Sequence, residues 1–142
     1  RSFMRETPTE ILSHRQLSPT GSDEMATILL KNPRGQMATV ALSMHSKQPK
    51  RAVISCERGY VEIMEYPRAE KAIFVDAETG AVEEIFAGER ADALFYELSD
   101  MEQAIASGDA SAMKLAFSKD VMDIMTALRK NWNLPRLLSK VF

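Results

Sequence analysis

The fold is decided by Gln36-Met37-Ala38-Thr39-Val40-Ala41-Leu42-Ser43-Met44-His45-Ser46. Ala38, Val40, Leu42 and Met44 recur at every second position, and Met37, Thr39, Ala41 and Ser43 fill the alternate ones. A period of two belongs to a β-strand, whose successive side chains leave opposite faces. One face is bulky and the other small and semi-polar. Immediately upstream, Asn32-Pro33-Arg34-Gly35 sets Pro at the second turn position and Gly at the fourth, as a type I turn prefers. Before it, residues 25–31 are nearly continuously apolar. Together they predict a β-hairpin.

Residues 9–17 predict a preceding strand, closed by the turn-rich Ser18-Pro19-Thr20-Gly21-Ser22-Asp23. Downstream, residues 51–56 and 60–64 form a pair joined at Glu57-Arg58-Gly59. Residues 71–76 and 82–86 form another, joined at Glu78-Thr79-Gly80. Short strands with such turns predict an antiparallel meander. The period then changes. Leu94, Leu98, Met101 and Ile105 fall at helical spacing, with Gly108 as a C-terminal stop. A second helix is expected from near Ser118 as N-cap, with Asp120 in its first turn. Its apolar stripe would be Val121, Met125, Leu128 and Trp132, with Arg129 and Lys130 at its negative end and Pro135 closing it. Strands followed by helices give an α+β fold: an open, largely antiparallel sheet of about six strands with the C-terminal helices on one face. Two helices cover only one face of such a sheet. The other, with Thr39, Ala41 and Ser43 or with Ala38, Val40 and Leu42 as its members, is expected to be buried by a second copy of the chain. Trp132 is expected to be substantially buried.

The 142 residues suit a single domain spanning 1–142, at 45% hydrophobic and 27% charged. Eighteen basic and 20 acidic residues give a net charge of −2 with no basic block, which argues against a nucleic-acid partner. No apolar run approaches the roughly 20 residues of a membrane helix, and no signal-peptide pattern opens the chain. Cys56 is the only cysteine, so neither a disulfide framework nor a Cys-based zinc site is available, and a reducing, cytoplasmic setting is expected.

Dinucleotide binding needs a glycine-rich strand-to-helix turn that lets backbone approach phosphate. The six glycines are isolated, and neither GxGxxG nor GxxxxGK[ST] occurs, so this chain is expected to bind neither NAD nor NADP. His14 and His45, both placed on strands, have no partner at metal-ligand spacing, and no metal is expected. Cys56 has no basic activator beside it in sequence. Asp23-Glu24 and Glu83-Glu84 are adjacent pairs whose side chains diverge on a strand, so neither makes a paired-carboxylate site. Met101, Met122 and Met125 fall on helical stripes and read as core filler. No catalytic residue is assigned. The segment Gly88–Glu97 joins the last strand to the first helix and carries Arg90, Phe95 and Tyr96. These three are candidate substrate-binding residues forming a wall of a pocket shared with another domain; alternatively, Phe95 and Tyr96 simply start a helix and pack on the sheet.

The order of parts resembles a known family. Gly21-Ser22-Asp23-Glu24 precedes a strand, and Leu29-Leu30-Lys31-Asn32-Pro33-Arg34-Gly35-Gln36 makes a strand, a Pro-x-Gly turn and a strand. Arg58-Gly59-Tyr60-Val61-Glu62-Ile63 follows, Tyr96-Glu97 opens a helix, and Met125-Thr126-Ala127-Leu128-Arg129-Lys130-Asn131-Trp132 closes the set. Over residues 20–132 this is similar to the C-terminal domain of the glucose–fructose oxidoreductase, inositol dehydrogenase and rhizopine catabolism family (Gfo/Idh/MocA), in its dihydrodiol and xylose dehydrogenase branch. The resemblance implies a two-domain parent whose N-terminal Rossmann domain, preceding Arg1, carries the NAD or NADP site and a catalytic Lys in a Glu-Lys-Pro motif. It also implies that this part closes the pocket over a sugar, polyol or diol and pairs with a twin across its exposed sheet face. A free-standing binding or dimerisation module is the alternative.

Overall fold

The computed structural model describes residues 2–134. Its elements are β1 (Glu10–Leu17), β2 (Asp23–Lys31), β3 (Met37–Ser43), β4 (Arg51–Cys56), β5 (Gly59–Met64), β6 (Lys71–Asp76), β7 (Val82–Phe86), α1 (Ala93–Ser107) and α2 (Leu115–Asn131). Short 3-10 turns at Arg90–Asp92 and Ser111–Met113 precede the two helices. The fold is α+β, and all strand pairings are antiparallel.

The strands pair in chain order but in two sheets, β1-β2-β3 and β4-β5-β6-β7, where the sequence predicts one sheet of about six strands. The β3–β4 connection, Met44-His45-Ser46-Lys47-Gln48-Pro49-Lys50, explains the break. It is too long for a tight hairpin turn, loses the apolar alternation, and contains Pro49, which has no N–H for a ladder. The described residues fall into two compact units. One comprises the residues up to Lys47 with those from Lys114 onward, and the other is Gln48–Met113. Each unit holds one sheet and one helix.

In the first unit, register aligns Ile11 with Leu30 and Ala38, and Ser13 with Ile28 and Val40, on one face of the β1–β3 sheet. Ile28, Leu30 and Leu128 form the core, with Ile11, Ala38, Val40, Ile124 and Trp132 packed around it. Leu128 is only 2% exposed, a burial that stabilises by about 1.5–3 kcal/mol. The inward stripe of α2 is therefore Ile124, Leu128 and Trp132. Of the predicted members, Leu128 and Trp132 lie on this stripe, whereas Val121 and Met125 are exposed. α2 also starts earlier than predicted: Ser118 is inside it, and the N-cap is Lys114 in a left-handed conformation, whose carbonyl accepts from the Phe117 and Ser118 N–H groups. The helix ends in a Schellman arrangement. Asn133 is left-handed (φ 53°), its N–H donates to Lys130 O, and the Leu134 N–H donates to Arg129 O at 2.9 Å. Pro135, the predicted stop, lies outside the described residues.

Asn32 begins the β2–β3 turn and is 1% exposed. Its Oδ1 accepts from the Gln36 N–H at 2.9 Å, and its Nδ2 donates to Gln36 Oε1 at 2.8 Å. Gln36 Oε1 in turn accepts from the Arg5 N–H, so this one amide ties the N-terminal segment to the hairpin.

The second unit is a four-stranded meander. At Gly59, where β5 pairs with Asp76 of β6, any Cβ would overlap the Val75 carbonyl oxygen, so only glycine closes that ladder. Apart from Gly59, no residue of this unit is buried. α1 runs as predicted to Gly108, its left-handed C-cap (φ 71°), and no α1 residue is buried. No helix among the described residues is long and apolar enough to cross a membrane.

Candidate functional site

A meander fixes which connections share an end of the sheet. β5 leaves at Met64, β6 enters at Lys71, and Lys71 pairs with Phe86 at the exit of β7. The β5–β6 connection and the β7–α1 junction therefore meet, and between them lies a shallow cleft of about 200 Å³. Its polar lining is Arg68, Glu89, Arg90, Tyr96 and Glu97, beside Pro67 and Gly88.

Glu70 builds the junction. Its backbone carbonyl accepts from the Ala87 N–H at 2.9 Å, and its carboxylate accepts from the Arg90 N–H at 3.0 Å, fixing the start of the 3-10 turn. Gly88 has φ 94°, and a Cβ there would stand 3.1 Å from the Tyr96 ring. The ring thus rests against bare backbone, and Tyr96 Oη accepts from the Glu89 N–H at 3.4 Å. Two guanidiniums, two carboxylates and a phenol around one hollow form a hydrogen-bonding surface with planar, bidentate donors, suited to hydroxyl or carboxylate groups.

Of the three residues singled out in the sequence, Arg90 and Tyr96 line this cleft. Phe95 does not; it is 66% exposed and meets Tyr96 edge-on, with ring centroids 6.2 Å apart. Arg68 and Pro67 escaped the sequence reading, although the alternation of strand directions in a meander was enough to place their connection beside the β7 exit. His14 is exposed on β1; His45 lies beyond β3 rather than on it, with Nδ1 3.2 Å from Glu24 Oε1. Cys56 is exposed at the end of β4. Glu83 and Glu84 diverge on β7 as expected, and Glu84 pairs with Lys71 at 2.7 Å. No cluster of three potential metal ligands lies among the described residues.

At the strand-to-helix junction Gly88 packs against the Tyr96 ring, and Glu89 and Asp92 flank the 3-10 turn. No protein-family model and no curated protein matches the chain.

Proposed function

We propose that this chain serves as the C-terminal part of an NAD(P)-dependent oxidoreductase acting on a sugar, polyol or diol hydroxyl, in the manner of the Gfo/Idh/MocA proteins it resembles. It supplies a wall of the substrate pocket and a surface for self-association, and it is inactive alone. The cofactor and the hydride transfer belong to a Rossmann domain of the same polypeptide.

The observation that carries the reading is the cleft. Its guanidiniums, carboxylates and Tyr96 are the groups that hydrogen-bond a polyhydroxylated ligand, yet its volume falls below the roughly 300–1,000 Å³ of a complete pocket. Such a half-site fits a wall that a second domain completes. In this role Arg90 and Tyr96 bind and orient hydroxyls, and Arg68 holds the opposite rim. The open face of the β1–β3 sheet supports self-association: Leu12, Met25, Leu29, Met37, Thr39 and Ala41 are all exposed there.

The test is NAD(P)-dependent oxidation of a panel of sugars, polyols and vicinal diols by the full-length polypeptide. Arg90→Ala and Tyr96→Phe should each raise KM for the best substrate several-fold while changing kcat less. If the full-length protein turns over none of them, or if the 142-residue chain itself binds NAD at micromolar concentration, the oxidoreductase reading fails. A free-standing dimerisation module would then be the better description.

A further inference from the structure

An exposed apolar surface of the second unit lies on α1, on the side opposite Tyr96. Leu94, Leu98, Met101 and Ile105 are spaced by four, three and four residues, the a/d alternation of a coiled-coil seam. They are 62%, 59%, 50% and 74% exposed. At about 100° per residue the four fall within roughly 60° of arc, and Tyr96, which faces the cleft, lies on the far side of the helix. A 15-residue helix with no buried side chain is marginal in water, so α1 needs a cover along this stripe.

Charge selects the cover. Glu97 borders the stripe on one side and Glu102 on the other, Asp100 stands beyond Glu97, and α1 contains no Lys or Arg. Pairing two copies of α1 would bring acidic flanks together, which coiled-coil pairing disfavours. A helix with apolar a/d residues and Lys or Arg at its own flanks meets both requirements. We propose that α1 is a docking surface for a basic amphipathic helix of a partner protein, which seats on Leu94, Leu98, Met101 and Ile105 and pairs its cations with Glu97 and Glu102. Phe95, beside Glu102 on the helical wheel, extends the apolar contact. This inference does not rest on the oxidoreductase reading.

The experiment titrates the intact chain into two fluorescein-labelled 21-residue peptides and follows anisotropy. Both carry Leu at a and d; one has Lys and the other Glu at the flanking e and g positions. The Lys peptide should bind at least tenfold more tightly, and the preference should shrink as salt is raised from 50 to 500 mM. Leu98→Asp, on the exposed stripe, should remove binding while circular dichroism stays unchanged. Glu102→Lys should weaken the Lys peptide and strengthen the Glu peptide, a reversal that altered folding would not produce. Equal affinity for both peptides, or binding by Leu98→Asp at the wild-type level, overturns the proposal. So does a concentration-dependent dimer that Leu98→Asp dissociates, since the occupant would then be a second copy.

Discussion

Trp132 Nε1 donates a hydrogen bond of 3.0 Å to Ser13 Oγ, joining the end of α2 to β1. Arg15, two residues along the same strand face, lies 5.3 Å from the centre of the indole, donates to the Trp132 carbonyl at 2.8 Å and pairs with Asp23 at 2.6 Å. One half-buried aromatic thus closes the first unit by packing, by hydrogen bonding and by a cation–π contact at once.

Trp132→Ala removes all but the carbonyl contact and should destabilise the chain by about 3 kcal/mol, the usual cost of truncating a packed aromatic. Ser13→Ala leaves only the indole N–H without its partner and should cost about 1 kcal/mol. Urea unfolding followed by tryptophan fluorescence measures Ser13→Ala, and circular dichroism measures both. Equal losses for the two variants would show that packing of the indole contributes little.

Asn32 is the buried polar residue of the hairpin turn. Asn32→Ala strands the Gln36 N–H and the Gln36 side chain, with an expected loss of about 1–3 kcal/mol. Asn32→Asp should be no better, because a carboxylate cannot donate to Gln36 Oε1. Thermal melts of the three proteins check this, and a wild-type melting temperature for Asn32→Ala would show that the network is dispensable.

Thr39 and Ala41 project from the middle of the open β1–β3 face, paired with Leu29 and Thr27. If a second copy covers that face, Thr39→Lys or Ala41→Lys should shift dimer toward monomer in light scattering across a concentration series. A wild-type chain that stays monomeric at the highest concentration would exclude this face as the self-association surface.

The Asp76 carboxyl is held below its ordinary value of 3.8, first by the Thr79 N–H, then by the Thr79 hydroxyl, with smaller help from the Glu78 N–H and Arg58 against some desolvation. A depressed carboxyl stabilises the fold above its ordinary value and loses that contribution as pH falls through the lowered one. Asp76→Asn should therefore melt lower than wild type at pH 7 and converge with it as pH falls through the lowered value. A gap independent of pH would mean that the ionised form is not what the β6–β7 turn prefers.

The strands were legible because alternation and turn chemistry are local, and α1 because Leu94 to Ile105 and Gly108 mark its period and its end. The division into two sheets was not, since a strand's period of two carries no information about its neighbour. In α2 the sequence does not separate Ile124 from its equally apolar neighbour Met125, and which of the two faces the core depends on how the helix is turned against the sheet. Asn32 was legible as a turn residue but not as a buried one, because its burial depends on Gln36 and on the N-terminal segment folding back. In the cleft, Arg90 and Tyr96 stood out by residue type at a strand-to-helix junction, whereas Arg68 sits in a connection that reads like any other turn.

The hydrogen bond from Trp132 to Ser13 spans 119 residues of chain, and the whole of Gln48–Met113 lies between its ends. Chains emerge from the ribosome at roughly 5–20 residues per second. The hairpins of both sheets can form as they appear, but the Ile28 and Leu30 face must wait on the order of ten seconds for α2. For that interval the nascent first unit is a three-stranded sheet with its core face uncovered, open to chaperones and to neighbouring chains on the same message. A chain truncated anywhere before Leu128 would remain in that state permanently.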